Sequence, residues 1–312
     1  MTEPGYVFTS RQSTSVPSEL AGLDLAFVGG SVDDRGSATI NALKDVAKKI
    51  SEFYFDPNHQ EIYLNSQKTN RQRLVEHMTG TSRILIDATT LGLGEILHIL
   101  MAARQGGHQT VEFLYAEPGE YIRNETASKD EPQRREFALT TNCRFQGVLG
   151  FAHEYQANMK AAHVFMLGYE SARIRNAVEQ LGDRDPRRYG IYAVIGVPAF
   201  QSGWESNSIR PHLRVLEELD IDHSIVYCQA NSIRETYLTL WQLYRQLGDE
   251  SGCFYVSPIG TKPHAVGAGL FLLETKGSEP TTSLYYDHPV RVNKRSTGYA
   301  TWHHVTVELA SP

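Results

Sequence analysis

Hydrophobic and polar positions along the chain alternate between short apolar runs, which predict buried strands, and amphipathic stretches, which predict helices. In the first third of the chain these segments are, in order, the strand Leu23 to Val28, a helix with apolar positions at Ile40, Leu43, Ala47, Ile50 and Tyr54, the strand Gln60 to Asn65 and the short helix Arg71 to Met78. This order is typical of α/β proteins, in which strands and helices follow one another along the chain.

Two blocks of sequence predict the same series of strand, polar turn, helix and strand. They run from Arg83 to Pro118 and from Phe254 to Pro289. Sliding one block over the other without gaps superposes four pairs, Thr90 on Thr261, Gly106 on Gly277, Tyr115 on Tyr286 and Pro118 on Pro289. A crossover helix of this kind returns the chain to a second, parallel strand. We interpret the blocks as an internal duplication; the alternative is the hydrophobic pattern that any two buried βαβ units share.

The second half of the chain repeats the alternation of strands and helices. The predicted elements are the strand His163 to Leu167, a helix ending at Gly182, the strand Gly190 to Gly196, the helix Ile209 to Leu219, the strand Ser224 to Cys228 and a helix opened by the capping-box pair Ser232 and Glu235. The chain closes with the alternating segment YATWHHVTVEL. The predicted fold is therefore α/β, with two Rossmann-like half-domains, mostly parallel sheets and an antiparallel C-terminal edge strand.

The same pattern predicts four parts of the chain. We expect a mobile N-terminal segment at residues 1–22, a first Rossmann-like lobe at 23–121, a charged insert or connector at 122–162 and a second Rossmann-like lobe at 163–312. The insert begins with the charged run RNETASKDEPQRRE, which we interpret as a solvated loop.

Composition and charge exclude several classes of protein. With 312 residues and 41% apolar content, the chain can bury one or two cores without a metal or a disulfide. Its net charge of −6 offers no basic surface for duplex nucleic acid. Its apolar stretches are shorter than the roughly twenty residues of a membrane span, and its first residues lack the features of a secretory signal. Cys143, Cys228 and Cys253 lie far apart, which is typical of a reducing compartment, so we expect a soluble cytoplasmic protein.

The turn between strand and helix in the second block carries the strongest candidate chemistry. Gly260 lets a ligand approach the backbone closely, and the free N–H groups and dipole of the following helix attract anions. Thr261 and Lys262 would then contact a phosphate, with His264 beside them. The alternative is a plain helix entrance with a solvated lysine, because the Walker A pattern GxxxxGK[ST] is absent.

The corresponding turn of the first block has hydroxyls and glycines but no positive charge. Thr89, Thr90 and the backbone at Gly92 are candidates for holding a ribose or a base, and Asp87 for accepting a hydrogen bond from a ribose hydroxyl. The alternative is that one of the threonines is an ordinary helix N-cap.

A third strand-to-helix turn opens the second half at Gly168. Arg173 is a candidate for bidentate phosphate contact, with Glu170 orienting its side chain. The alternative is a surface ion pair between these two residues, which are three positions apart on the helix.

The loop from Pro198 to Ser208 is longer than a connection between strand and helix needs, and long loops at strand ends often cover ligands. Ser202 and Asn207 are its candidate ligand contacts. Trp204 either stacks on a base or packs on a neighbouring side chain.

Metal and cofactor chemistry have little support in the sequence. His303 and His304 are adjacent on a predicted strand and should point to opposite faces, so they are poorly placed to chelate one ion. The GxSxG, HExxH, kinase and GxGxxG patterns are all missing at the positions where they would carry function. We predict neither a metal nor a cofactor, and we assign no catalytic residue.

The turn Ile259-Gly260-Thr261-Lys262 resembles a motif of CARF and related SAVED-type sensor domains of bacterial antiviral systems. In CARF domains a Gly-Gly-Thr-Lys element lines a pocket for a cyclic oligonucleotide, and this chain matches all but the first glycine. The combination of DATT, GYESAR and SPIGTKPHAVG also looks like uncharacterised proteins of bacterial defence neighbourhoods. The resemblance covers about a quarter of the chain. It implies a nucleotide sensor, and the lack of a nuclease, HEPN or TIR segment implies a separate effector protein as partner.

The leading hypothesis is a sensor or regulatory subunit that binds a nucleotide or another phosphorylated small ligand between the lobes. One alternative is an enzyme that cleaves a nucleotide phosphodiester in the same crevice, with Lys262 stabilising phosphate charge and His264 moving a proton. Another alternative is a non-catalytic scaffold subunit of a multiprotein complex. A homodimer is the hypothesis for self-association.

Overall fold

The computed structural model describes residues 3–122, 137–141, 144–156, 158–182, 184–221, 224–248 and 252–309. In chain order its strands are β1 (Val7–Ser13), β2 (Leu23–Val28), β3 (Ala47–Asp56), β4 (Glu61–Leu64), β5 (Gln67–Thr69), β6 (Ile84–Asp87), β7 (Thr110–Tyr121), β8 (Thr140–Thr141), β9 (Ala161–Leu167), β10 (Tyr189–Gly196), β11 (Ile225–Cys228), β12 (Cys253–Pro258), β13 (Thr281–Leu284), β14 (Val290–Arg291) and β15 (Ser296–Glu308). Its helices are α1 (Asp34–Val46), α2 (Arg71–Met78), α3 (Leu93–Gln105), α4 (Ser171–Leu181), α5 (Glu205–Glu218), α6 (Ile233–Gly248) and α7 (Lys262–Glu274).

The chain divides into two compact units. The first unit comprises Glu3–Ile122 and Val292–Pro312, and the second comprises Arg123–Arg291 with Met1–Thr2. The second unit is therefore inserted in the sequence of the first.

The first unit is built on an eight-stranded sheet in the order β1-β15-β7-β6-β2-β3-β4-β5. All its strands except β15 and β4 run in the same direction. The final strand, β15, is antiparallel as predicted, but β1 pairs with its outer side, so β15 lies next to the edge. The core between α1 and this sheet includes Leu23, Leu43 and Trp302.

The second unit is built on a five-stranded, fully parallel sheet in the order β11-β10-β9-β12-β13. Its core includes Phe165 and Leu167 of β9, Ile174 of α4 and Leu216 of α5. A small antiparallel pair, β8 with β14, completes the unit. The predicted α/β class with mostly parallel strands is confirmed.

Four helices begin at side chains that satisfy free backbone N–H groups. Asp33 accepts from the Gly36 N–H, Asn70 from Arg73, Thr261 from His264 and Ser232 from Glu235. These are the residue types that favour the N-cap, so the local sequence determines where the helices start.

Helix α7 is apolar all round and almost wholly buried. Helix α6 packs against it, and a Cβ at Gly267 would lie 2.6 Å from the Ile233 carbonyl oxygen, so the glycine permits close contact between the two helices. The rings of Trp241 and Phe271 meet edge to face across the same interface, with their centroids 5.7 Å apart.

Four expectations about the fold need correction. The predicted first helix does not continue to Ile50 and Tyr54, because α1 ends at Val46 and β3 follows at once. In β3 the side chains at 51, 53 and 55 are buried while those at 52 and 54 are exposed, which is the two-residue period of a strand.

The N-terminal segment, expected to be mobile, contains β1, whose backbone pairs with β15 along its whole length. Its polar sequence gave no strand signal, because an exposed edge strand is held by its backbone. The predicted lobe boundaries also differ from the observed units. The second lobe was expected to extend to residue 312, but β15 belongs to the first unit.

The predicted connector at 122–162 is partly core. Its described residues Phe145, Val148 and Phe151 are buried, and β8 pairs with β14. The charged run at 123–136 lies outside the described residues.

Both repeat blocks form the expected strand, helix and parallel strand, β6-α3-β7 and β12-α7-β13. The alignment of the blocks is approximate, because α7 begins at Lys262, which aligns with Leu91, whereas α3 begins at Leu93.

Candidate functional site

The carboxyl edge of the five-stranded sheet brings two of the predicted turns together. The chain order reverses between β9 and β12, and ligands of doubly wound proteins settle at such a point. A Cβ at Gly168 would lie 3.2 Å from the Ile259 carbonyl oxygen, and a Cβ at Gly260 would lie 2.8 Å from the Leu167 carbonyl oxygen. The two turns are in contact because glycine occupies both positions.

Helix α7 begins at this edge. The Thr261 hydroxyl donates to the Ala230 carbonyl oxygen at 2.6 Å and accepts from the His264 N–H at 3.3 Å. This hydroxyl was predicted to contact a phosphate, but it is engaged within the chain. Lys262 is the first residue of the helix and is half-buried. The turn can therefore offer an anion the positive end of the helix dipole and an ammonium group.

His264 lies behind that turn with no exposed surface. Its Nε2 is 3.0 Å from the Gln229 carbonyl oxygen, so Nε2 carries the proton and donates. Nδ1 is buried and has no hydrogen-bond partner among the described residues. Burial lowers the pKa of His264 to about 4. The side chain is therefore neutral near pH 7 and shielded from solvent.

Arg173 is buried in α4 and is held within the chain, contrary to its predicted role as a phosphate ligand. Its Nε and one terminal nitrogen donate to the two carboxylate oxygens of Asp287, each at 2.6 Å, and the other nitrogen donates to the Ile259 carbonyl oxygen. All three guanidinium nitrogens thus have internal partners. The role that this geometry supports is to tie α4 to the end of the β12 turn and to the segment after β13.

Glu170 interacts with Arg173 through charge, but its hydrogen bonds go to another segment of the chain. Its carboxylate accepts from the backbone N–H groups of Leu139 and Thr140 at 2.9 and 3.0 Å, and from the Thr140 hydroxyl at 2.9 Å. Burial raises the pKa of Glu170, against the charge of Arg173 and these hydrogen bonds. Its role in the structure is to fasten the segment 137–141 against the start of α4.

The predicted loop at 198–208 is shorter than expected, because α5 already begins at Glu205. The Glu205 carboxylate accepts from the Gly203 and Ala199 N–H groups at 2.8 and 3.2 Å and closes the loop. Ser202 is exposed at its tip, and Asn207 is half-buried in the first turn of α5.

Ser208 makes a contact at this edge that the sequence did not predict. Its hydroxyl donates to the Gly168 carbonyl oxygen at 2.8 Å and so connects α5 to the β9 turn. One turn later, His212 Nδ1 is 2.7 Å from the Ser208 carbonyl oxygen, and burial lowers the pKa of His212 to about 4. No sequence motif marks these contacts, because both depend on which turn the helix reaches.

In the first unit, the predicted ribose-binding turn is saturated by its own chain. The Thr90 hydroxyl donates to Asp87 at 2.6 Å and accepts from the Gly29 N–H at 2.9 Å. The Thr89 hydroxyl accepts from the Ala116 N–H at 3.0 Å. These hydroxyls fasten the turn to the residue after β2 and to the middle of β7, which corrects their predicted role as ligand contacts.

Asp87 is fully buried and also accepts from the Thr39 hydroxyl at 3.0 Å and the Thr89 N–H at 2.9 Å. Burial raises the pKa of its carboxyl. Gly92 is the N-cap of α3, and a Cβ there would lie 2.5 Å from Oε2 of Glu95. A carboxylate so close makes this turn unsuited to a phosphate.

His303 and His304 lie side by side on β15 with separate carboxylate partners. His303 Nε2 is 2.7 Å from Glu117, and His304 Nε2 is 2.7 Å from Glu112. Within the described ranges, no group of three or more histidine, cysteine, aspartate or glutamate side chains is placed to hold a metal ion. No helix in those ranges is both long enough and apolar enough to cross a membrane.

The sequence matches no protein-family model and no curated protein. The CARF-like resemblance of the Gly260 turn therefore stands on its residues alone.

Proposed function

We propose that this protein binds a nucleotide or another phosphorylated small ligand at the carboxyl edge of the five-stranded sheet and acts as a sensor or regulatory subunit. The observation that carries the proposal is the contact between the Gly168 and Gly260 turns at the point where the strand order reverses, beside the start of α7. Phosphates bind at helix N-termini in this position of doubly wound folds because backbone N–H groups and the helix dipole favour negative charge.

In this proposal the phosphate contacts the backbone at Gly260 and Thr261 and the Lys262 ammonium group. Ser202, on the loop before α5, and Asn207, in the first turn of α5, contact the remainder of the ligand. Arg173 acts indirectly by holding the Ile259 carbonyl oxygen and so the shape of the turn. The predicted contacts Thr89, Thr90 and Gly92 are left out, because the first unit uses that turn internally.

Binding without turnover fits the turn better than phosphodiester cleavage. A general acid or base works best with a pKa near the operating pH and must reach the reacting atom. His264 is buried, donates through Nε2 to Gln229 and has a pKa of about 4. The role in antiviral defence rests only on the resemblance of the Gly260 turn to CARF domains.

Isothermal titration of the full chain with mono-, di- and cyclic nucleotides, including a cyclic oligoadenylate, tests the proposal. We expect at least one to bind, and Lys262→Gln to weaken its affinity about tenfold or more, because hydrogen bonds to charged groups contribute about 1.5–3 kcal/mol. Lys44→Gln is the matched control, since Lys44 is an exposed helical lysine of the first unit. We expect the bound ligand to be recovered intact.

Absence of heat with every nucleotide would overturn the proposal, as would equal affinity of wild type and Lys262→Gln. Recovery of a linear product from the cyclic ligand would replace the sensor by the enzyme alternative.

A further inference from the structure

A second candidate site lies on the first unit, on the two consecutive hairpins formed by β3 with β4 and by β4 with β5. Strand β3 points Ser51, Phe53 and Phe55 inward and Glu52 and Tyr54 outward. The outward face is therefore polar and aromatic, while the inward face contributes to the core.

This outward face contains a cavity of about 320 Å³ lined by Glu52, Tyr54, Asp56, Tyr63 and Ser66, which we call the hairpin cavity. Tyr54 and Tyr63 lie opposite each other on β3 and β4, with ring centroids 6.0 Å apart and planes inclined by 39°. The volume is at the small end of the range for ligand pockets.

The carboxylates of the hairpin cavity differ in how they are used. Asp56 accepts from the Asn58 N–H at 2.9 Å and faces His59 Nδ1 at 2.8 Å, and the contact with His59 lowers the pKa of its carboxyl. The Glu52 carboxylate has no partner among the described residues, although the Glu52 backbone is paired. The cavity thus has one engaged and one available carboxylate beside two aromatic rings.

The chain itself places an ammonium group on the same face. Lys68 lies opposite Tyr63 in the hairpin and bonds Glu61, whose carboxylate also accepts from the Tyr63 hydroxyl at 2.8 Å. An ammonium group next to a tyrosine and a carboxylate is therefore an arrangement that this surface already accommodates.

We propose that the hairpin cavity binds a small alkylammonium ion, with the Glu52 carboxylate providing charge and the Tyr54 and Tyr63 rings providing cation–π contact. An anion would be repelled by Glu52 and Asp56, and a hard metal ion would gain nothing from the rings. The alkylammonium group belongs either to a free amine or to a lysine side chain of a peptide.

Ligand-observed saturation-transfer NMR on the full chain tests this proposal with butylammonium and a capped lysine peptide as probes. We expect transfer to the alkyl protons, and we expect Tyr54→Leu to weaken binding about two- to fivefold, as exposed cation–π contacts are worth. Glu52→Gln should weaken binding and reduce its dependence on salt. Similar affinity for both probes indicates a free amine, and stronger binding of the peptide indicates a protein partner.

Matched control variants are Glu308→Gln, an exposed strand carboxylate of the same unit, and Tyr227→Leu, an exposed tyrosine elsewhere. Both should bind like the wild type. Absence of transfer to either probe at millimolar concentration, or equal loss of binding in the control variants, would overturn the proposal. Because the cavity lies in the first unit, such a result would not affect the nucleotide proposal for the second.

Discussion

Each unit buries an arginine in the first turn of the helix that follows β2 or β9. Arg35 donates to Asp33, Ser296 and the Ala116 carbonyl oxygen, and Arg173 donates to Asp287 and the Ile259 carbonyl oxygen. In both cases the guanidinium ties the helix start to the end of a strand. Since Arg35 has this role at a turn with no phosphate-binding signal, the comparison supports a structural role for Arg173.

The units differ at the turn that precedes the last crossover helix. In the first unit Asp87, Thr89 and Thr90 close this turn with their own hydrogen bonds, and no cation is present between Asp87 and Glu95. In the second unit the turn carries Lys262 at the start of α7. In the same βαβ architecture, the turn is therefore closed by hydrogen bonds of neutral and acidic side chains in the first unit and carries a positive charge in the second.

The largest expected effect concerns the buried pair in the second unit. Arg173→Met and Asp287→Asn should each lower the free energy of unfolding by about 3–5 kcal/mol, because each leaves the partner buried without its counter-charge. A double variant should cost less than the sum of the two. Denaturant unfolding of the four proteins measures this, and additive losses would contradict the assignment.

Acid should destabilise the second unit at higher pH than the first. Burial lowers the pKa of His212, His264 and His288 to about 4 and that of His163 to about 3. In the unfolded chain these histidines have a pKa of about 6.5 and bind protons below that pH, whereas in the folded unit they stay neutral. The folded unit therefore has its full stability above about pH 6.5 and loses stability as the pH falls toward 4. For His264 alone this loss is on the order of 3 kcal/mol.

In the first unit burial lowers the pKa of His98 to about 4 and also lowers that of His77 and His108, so the same loss acts there through fewer strongly shifted histidines. The Asp33 carboxyl, with a pKa of about 2 beside Arg35, stabilises the folded first unit by an amount that is lost only below about pH 4. Hydrogen exchange from pH 7 to 4 should show the second unit losing protection first. His264→Gln should flatten its pH dependence. Simultaneous loss of protection in both units would contradict this prediction.

The smallest expected effects come from the glycines that let turns touch. A Cβ added at Gly29 would lie 2.7 Å from the Thr90 carbonyl oxygen, and a Cβ added at Gly260 would lie 2.8 Å from the Leu167 carbonyl oxygen. Gly29→Ala and Gly260→Ala should each cost about 1–3 kcal/mol through forced backbone shifts.

The matched control is Gly30→Ala, because a Cβ at Gly30 meets no atom within 4 Å. Gly168→Ala, with its nearest contact at 3.2 Å, should cost less than Gly29→Ala. Thermal unfolding of the four variants ranks them, and a loss at Gly30 as large as that at Gly29 would show that contact distance does not decide the cost.

Much of the fold followed from the sequence because the elements carry local signals. The strand Leu23–Val28 and the helix Arg71–Met78 were predicted with the bounds that the structure has. The β3 strand was missed because Ile50 and Tyr54 happen to continue the helical spacing of Ile40 and Leu43, so the pattern alone could not show the change of period at Ala47.

The location of the candidate site was predictable, but the use of its side chains was not. The Gly168 and Gly260 turns follow apolar strands of a parallel sheet, and such turns share one edge. Asp287, by contrast, is 114 positions from Arg173, and nothing in its neighbourhood marks it as the carboxylate that Arg173 requires. The sequence shows that residues 89 and 90 are threonines, but it does not show whether their hydroxyls bind a ligand or groups of their own chain.

The return of β15 to the first unit has a consequence for biosynthesis. The ribosome synthesises all of the second unit before it makes β15, which lies between β1 and β7. The nascent first unit therefore exposes the unpaired side of β7 until β15 has been made and has left the ribosome. Stalled or prematurely terminated chains should for that reason be captured by chaperones through the first unit.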